Sequence, residues 1–151
     1  MQLGVLKKRP AREYMFFAEA WIFLAISRCL ILFYPFRKLL PLLGQTVNRE
    51  EAGQAAVKPV AEKDLLKRIQ CSILRAGRRS PWRTKCFEQA LTARMMLRKR
   101  AIKSVIYFGI RKALPDEKTK IAAHAWLICS GFAVTGGKNN SQFTVVGRFW
   151  V

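Results

Sequence analysis

Histidine is nearly absent from this sequence of 151 residues, and its cysteines are widely spaced. There is one histidine, and the four cysteines include no C-x-x-C pair. Zinc sites of the usual kind draw on closely spaced cysteine and histidine ligands. The sequence therefore argues against such a site.

A secretion signal is missing as well. The first residues, MQLGVLKKRPAREY, contain neither an uninterrupted apolar core nor a small-residue cleavage site. Two disulfides would suit a secreted protein. Without a signal peptide, the simpler expectation is a cytoplasmic protein whose cysteines are free thiols.

Acidic residues are also few. The chain has 28 lysines and arginines against 9 aspartates and glutamates, for a net charge of +19. Such a charge favours an anionic partner, which could be nucleic acid, a lipid surface, a nucleotide or an acidic peptide. The hydrophobic fraction of 51% argues against disorder, and the length suits one domain with a real core.

The most apolar stretch, residues 15–34, is long enough to span a membrane but contains Glu19 and Arg28. Basic clusters at 7–9 and 37–38 flank it, as on a helix that lies at an anionic interface. Two interpretations stay open, a core helix and a helix in partial contact with lipid. On helical spacing, one side carries Phe16, Ala20, Phe23, Leu24, Ser27 and Ile31.

After residue 34 the sequence first contains residues that interrupt regular structure and then becomes polar. Residues 45–59 are small and polar, which is typical of a linker or mobile loop. The residues expected to break the chain before it are Pro35, Pro41 and Gly44.

The remaining sequence changes from helical to strand periodicity. Apolar spacing predicts a helix over 60–77 that stops at Gly77, and a second helix that begins at Ser80–Pro81 or has Thr84 as its N-cap. Helices followed by antiparallel strands give an α+β fold. Runs of β-branched and aromatic residues predict the strands at 104–112, 122–131, 132–137 and 143–151.

Cys86 lies near the start of that second helix, in the run PWRTKCFEQALTARMM. With Thr84 as the N-cap, Cys86 occupies position N2, where free backbone N–H groups and the positive end of the helix dipole stabilise a thiolate. Arg83 and Lys85 add positive charge, and the same N–H groups could donate to an oxyanion. Cys86 is therefore a candidate nucleophile, with a structural cysteine as the alternative.

His124 falls within a predicted strand, in the run AHAW. A cysteine at a helix start and a histidine on a later strand is the chain order of papain-like and transglutaminase-like folds, in which a third group orients the imidazole. No acidic residue follows His124, and an amide can serve as that group. The candidates after it are Thr135, Asn139, Asn140 and Gln142. A half-buried histidine without a catalytic role is the alternative.

Four runs together resemble the leader peptidases of lasso-peptide biosynthesis, the transglutaminase-like B proteins. They are PWRTKCFEQALTARMMLRKRAI, SVIYFGIRK, AAHAWLICSGFAVTGG and FTVV. The likeness extends over residues 62–147, and the segment ending in LFYPFRKLLPLLG is similar to the helical lead-in of these proteins. It implies a lead-in and linker over 1–58 and a transglutaminase-like cysteine peptidase domain over 59–151. The chain resembles the split form, in which a separate protein recognises the leader.

This resemblance implies a cysteine protease that removes the leader from a ribosomally made precursor. Cys86 matches the family nucleophile and His124 the family base. The family's aspartate after the histidine has no counterpart; the corresponding run is VTGG, and Asn139 is our candidate for the orienting group. The implied partners are the precursor, the recognition protein and an asparagine-synthetase-like cyclase. The hydrolysis itself needs no cofactor, and ATP would enter only through the cyclase.

Two other functions fit parts of the sequence. The missing acid favours a non-catalytic scaffold of the same fold. The charge of +19 and the stretch 15–34 favour a basic protein that binds a membrane surface or nucleic acid. Aromatic residues interleaved with basic ones, which nucleic-acid binding requires, occur only in YFGIRK and GRFW. We therefore expect no nucleic-acid partner, and we keep contact with a membrane surface as an expectation.

Overall fold

A computed structural model describes residues 10–150. Within this range the helices are α1 (Ala11–Phe33), α2 (Phe36–Leu43), α3 (Arg49–Val57), α4 (Lys63–Arg79) and α5 (Cys86–Arg98). The strands are β1 (Gln45–Thr46), β2 (Val105–Lys112), β3 (Ile121–Cys129), β4 (Phe132–Thr135) and β5 (Thr144–Trp150), and a 3₁₀ turn covers Asn140–Gln142. The strands form one antiparallel sheet in the order β1-β5-β2-β3-β4. The predicted α+β fold is confirmed.

The core lies between three helices and one face of the sheet. Helix α1 packs on α4 and α5, and α5 packs on β3 and β4. The opposite face of the sheet is covered by α3, whose Ala52 and Ala56 pack against Val105. The described part of the lead-in, residues 10–58, thus contributes to the same core as the rest of the described chain, and the boundary at 58/59 stays a prediction. Fully buried members of the core include Leu24, Leu66, Ile73, Leu97, Ile106 and Leu127.

Helix α1 is the one described helix that is long and apolar enough to cross a membrane, by length and composition alone. Its two central charges are used within the protein. Glu19 accepts two hydrogen bonds of 2.7 Å from Arg100, and Arg28 donates one of 2.7 Å to Glu88. The predicted buried side is confirmed for Phe16, Ala20, Leu24 and Ser27.

The prediction of a linker over 45–59 is wrong, because the segment contains β1 and α3. Asn48 caps α3: its side-chain oxygen accepts from the Glu51 N–H at 2.8 Å, and the Glu51 carboxylate accepts from the Asn48 N–H at 3.1 Å. The small residues that suggested flexibility, Ala52 and Ala56, are the ones that let α3 approach the sheet closely.

Two residues that were predicted to end or interrupt a helix lie inside helices in the structure. Helix α4 continues through Gly77 to Arg79; a Cβ at Gly77 would lie 2.8 Å from the Thr84 hydroxyl, so the glycine allows the following loop to pass close to the helix. Pro41 lies inside α2, while Gly44, with φ of 100°, ends that helix as expected.

Candidate active site

Cys86 is the first residue of α5, and Lys85 is the N-cap. The predicted N-cap, Thr84, is wrong by one residue. Its hydroxyl accepts a hydrogen bond from the Gln89 side chain at 3.2 Å, while the Lys85 carbonyl accepts from the Gln89 N–H at 3.1 Å. Cys86 consequently occupies N1, still within the first turn, where the backbone N–H groups lack helical partners and the dipole is positive.

A buried carboxylate fixes that first turn. Glu88 lies two residues after Cys86, is fully buried, and accepts a hydrogen bond of 2.7 Å from Arg28 of α1. Its carboxylate also faces the Lys85 N–H at 3.4 Å. Because α1 and α5 are joined at this point, the orientation of the Cys86 turn depends on the docking of α1.

His124 lies on β3 and is half-buried between two aromatic rings, Trp126 at 5.7 Å and Phe143 at 5.0 Å between centroids. Its Nε2 atom is 2.8 Å from the carbonyl oxygen of Gly136. A carbonyl oxygen can only accept, so Nε2 carries the proton in this hydrogen bond. In the neutral ring Nδ1 is then the basic nitrogen.

Gly136 can place its carbonyl oxygen beside His124 because it has no side chain. Its φ is +65°, and a Cβ there would lie 2.6 Å from the Ala125 carbonyl oxygen and 2.8 Å from the Trp126 Cβ. Any other residue would displace the carbonyl that holds His124. Gly136 belongs to the run VTGG, where the resemblance placed the family's aspartate.

Asn139 stays a prediction as the orienting group. It precedes the 3₁₀ turn with φ of 63°, and its carbonyl accepts a hydrogen bond of 3.1 Å from the Gln142 N–H. Within residues 10–150 the partner of His124 Nε2 is Gly136. The Thr135 hydroxyl, another candidate, is buried and has no hydrogen-bond partner in that range.

Cys86 and His124 border the same cavity, which has a volume of about 410 Å³. Three aromatic rings form much of its wall: Phe87 lies 5.8 Å from Phe36 and 5.2 Å from Phe108 between centroids. The structure thus brings the two predicted residues to one apolar cavity. No hydrogen bond joins them in the described part of the chain. In free enzymes, catalytic hydrogen bonds are often long and shorten only when substrate binds.

The sequence did not identify Gly136, Phe143 or the four phenylalanines that line the cavity, which are Phe36, Phe87, Phe108 and Phe149. The pair Gly136–Gly137 was a signal for a turn with positive φ. These phenylalanines come from α2, α5, β2 and β5, and no local pattern connects residues that meet only in the folded chain.

A family model for the transglutaminase-like superfamily matches residues 30–148. The chain belongs to the transglutaminase-like superfamily. This match includes the whole of α2–α5, together with Cys86, His124 and Gly136. No curated protein and no solved structure matches the chain. Members of the superfamily commonly have cysteine peptidase or transglutaminase activity.

Proposed function

We propose that this transglutaminase-like protein is a cysteine peptidase that removes the leader from a lasso-peptide precursor. It acts with a separate leader-recognition protein and an asparagine-synthetase-like cyclase, which closes the ring after cleavage. The observation that supports peptidase chemistry is that a cysteine at a helix start and a histidine with a fixed tautomer border one cavity. The lasso-peptide role rests on the sequence resemblance.

In the proposed reaction, His124 Nδ1 takes the Cys86 thiol proton, and the thiolate attacks the carbonyl carbon at the leader–core junction. Backbone N–H groups of the first turn of α5 donate to the oxyanion. The C–N bond breaks as the imidazolium gives its proton to the departing amine of the core. His124 then deprotonates a water molecule, whose oxygen attacks the thioester carbonyl carbon. The C–S bond breaks, the leader leaves as an acid, and the imidazolium returns its proton to the Cys86 sulfur.

The Gly136 carbonyl would hold the imidazole in the tautomer that this reaction needs. A neutral carbonyl stabilises an imidazolium less than a carboxylate does, because it carries only a partial negative charge. We therefore expect a less stable thiolate–imidazolium pair than an aspartate would give. The apolar wall around Cys86 would accept an apolar part of the substrate, and the net charge of +19 suits an acidic leader or partner.

Leader release measured by mass spectrometry tests the proposal. Precursor and recognition protein are incubated with the native chain, Cys86→Ala, His124→Ala and the matched control Cys71→Ala, whose thiol is exposed on α4. We expect cleavage by the native chain and Cys71→Ala, and loss of cleavage in the other two variants with their folds intact. Undiminished cleavage by Cys86→Ala would refute the nucleophile.

A second candidate function is a non-catalytic scaffold. It is favoured by the neutral partner of His124 and by the lack of a Cys86–His124 hydrogen bond within residues 10–150. Alkylation rates distinguish the two. Cys71 is more exposed than Cys86. If accessibility alone set the alkylation rate, Cys71 would react faster than Cys86. A peptidase should show faster alkylation at Cys86 that slows in His124→Ala, whereas a scaffold should not.

A further inference from the structure

A row of exposed apolar residues follows one side of α1 for its full length. We call it the outer face of α1, and its members are Tyr14, Met15, Ile22, Ile26, Leu32 and Phe33. Met15 is 71% exposed and Phe33 is 77% exposed. Single exposed apolar residues are ordinary on soluble proteins, but a row of six along about 29 Å of helix marks an interaction surface.

The opposite side of α1 is held firmly by the protein. Glu19 and Arg28 are paired with Arg100 and Glu88 of the α5 region, and Ser27 is 3.0 Å from the Thr92 hydroxyl. Moving α1 into a bilayer as a spanning helix would break these contacts and leave two charges in hydrocarbon. The helix can therefore present its outer face to a partner only while it stays docked.

Positive charge lies at both ends of the outer face. Arg12 is exposed in the first turn of α1, and Arg37 and Lys38 are exposed just after its end. Aromatic residues that prefer the boundary between lipid and water accompany them: Tyr14 near one end and Tyr34 at the other. The whole chain carries +19. Apolar side chains bordered by cations are complementary to an anionic lipid surface.

We propose that the outer face of α1 binds an anionic membrane surface, with the helix parallel to the membrane plane and its inner side still packed on α4 and α5. A second copy of the chain is a poorer occupant, because each copy carries the same high positive charge. Phe36, exposed and three residues beyond the end of α1, also borders the Cys86 cavity. Docking would bring that cavity close to the lipid. The proposal does not depend on the peptidase activity.

Co-sedimentation of the full chain with vesicles tests it. One set of vesicles is phosphatidylcholine alone, and the other contains about one third phosphatidylglycerol. The test variant is Ile22→Asp with Phe33→Asp; the matched control is Val57→Asp with Ile121→Asp, two exposed apolar residues on α3 and β3. We expect the native chain and the control to bind the anionic vesicles, and the test variant to lose affinity by about tenfold or more.

A second test compares how well vesicles protect two thiols of the same molecule from alkylation. Cys29 lies on α1 and Cys71 on α4, and both are exposed. Anionic vesicles should slow alkylation of Cys29 and leave that of Cys71 unchanged, as read by peptide mass spectrometry.

Several results would overturn the proposal. They are failure of the native chain to bind anionic vesicles, equal binding by the test variant, and equal protection of both thiols. Resistance to an alkaline wash would instead indicate a spanning helix. A native dimer that the aspartate substitutions dissociate would instead assign the face to contact between copies.

Discussion

Gly136 combines two properties at one residue, a carbonyl that accepts from His124 Nε2 at 2.8 Å and a φ of +65°. Gly136→Ala adds a Cβ that would lie 2.6 Å from the Ala125 carbonyl oxygen, so the backbone must move. We expect the rate of the proposed leader cleavage to fall by about tenfold to a hundredfold, since small displacements of a catalytic group have effects of this size. Single-turnover rates measured across pH would show the loss.

Gly131 provides the matched control for that substitution. Its φ is +72°, and nothing lies within 4 Å of the Cβ position. Gly131→Ala should therefore lower the free energy of unfolding by about 1 kcal/mol, because alanine is strained in the left-handed backbone conformation. We expect little change in the cleavage rate. Equal rate losses in the two variants would show that the Gly136 carbonyl has no special role.

Arg94 is a buried cation surrounded by backbone carbonyls. Its guanidinium donates to Ser104 at 3.3 Å, to Phe149 at 3.0 Å and to Leu43. Burial lowers the pKa of Arg94 to about 10, with a smaller contribution from Arg98; the group stays protonated at neutral pH. Arg94→Met would leave these carbonyls unsatisfied, and we expect a loss of about 3 kcal/mol in the free energy of unfolding.

Denaturant titration measures that loss, and Arg98→Met is its control. Arg98 lies one turn later on α5 and is exposed, so its replacement should change stability by less than about 0.5 kcal/mol. A similar small change in Arg94→Met would contradict the idea that this side chain joins α2, α5 and β5.

At the scale of elements, one ion pair connects the apolar helix α1 to α5, the helix that begins at Cys86. Glu88 has a side-chain exposure of 1%, against 30% for its partner Arg28. Arg28→Met would leave a buried carboxylate without its counter-charge, and we expect a destabilisation of about 3 kcal/mol. The double variant Arg28→Met with Glu88→Gln should recover part of it, as a double-mutant cycle by denaturant unfolding would show. Strict additivity would mean that the two side chains do not interact.

The sequence predicted elements better than it predicted their connections. Periodicity located α1, α4, α5 and the strands, because a buried stripe or an alternating run is a local pattern. In the sequence, Glu19 and Arg28 look like interruptions of an apolar helix, because their partners Arg100 and Glu88 lie in a distant part of the chain. Periodicity missed α3 because a helix that packs through alanines has almost no apolar stripe; its signal was the capping pair Asn48 and Glu51.

The connection between β2 and β3 should be sensitive to acid. The Arg111 guanidinium donates to both Glu117 oxygens, at 2.7 and 3.0 Å, and with the Leu114 N–H it holds the pKa of Glu117 below its usual range. A lowered carboxyl pKa stabilises the fold above the usual pKa, and the contribution disappears as the pH falls through the lowered value. Glu117→Gln should therefore lower Tm at neutral pH and match the native chain in strong acid. Asp116→Asn is the control, and a pH-independent difference would contradict this account.

At the scale of the whole molecule, the candidate site belongs to no single segment. The cavity is formed by α2, α5, β2, β3 and β5. Cys86 and His124 could be proposed from the sequence because their residue types and chain order carry chemical information, and both border this cavity. The Gly136 carbonyl that accepts from His124 could not be proposed in this way, since every residue has a carbonyl and only the fold selects this one.

The net charge of +19 also acts on the whole molecule. Nine carboxylates cannot neutralise 28 lysines and arginines, so repulsion among the remaining cations opposes the compact state. Screening acts over about 10 Å at 0.1 M salt and less at higher salt. We therefore expect Tm to rise with sodium chloride, even though the local pairs of Glu19 and Glu88 weaken slightly.

Scanning calorimetry would measure this rise in Tm. The double substitution Lys118→Glu with Lys120→Glu, at two exposed positions, provides a variant of lower charge. That variant should start with a higher Tm in low salt and respond less to added salt. A Tm that falls with salt would show that the ion pairs joining α1 to its neighbours outweigh the general repulsion.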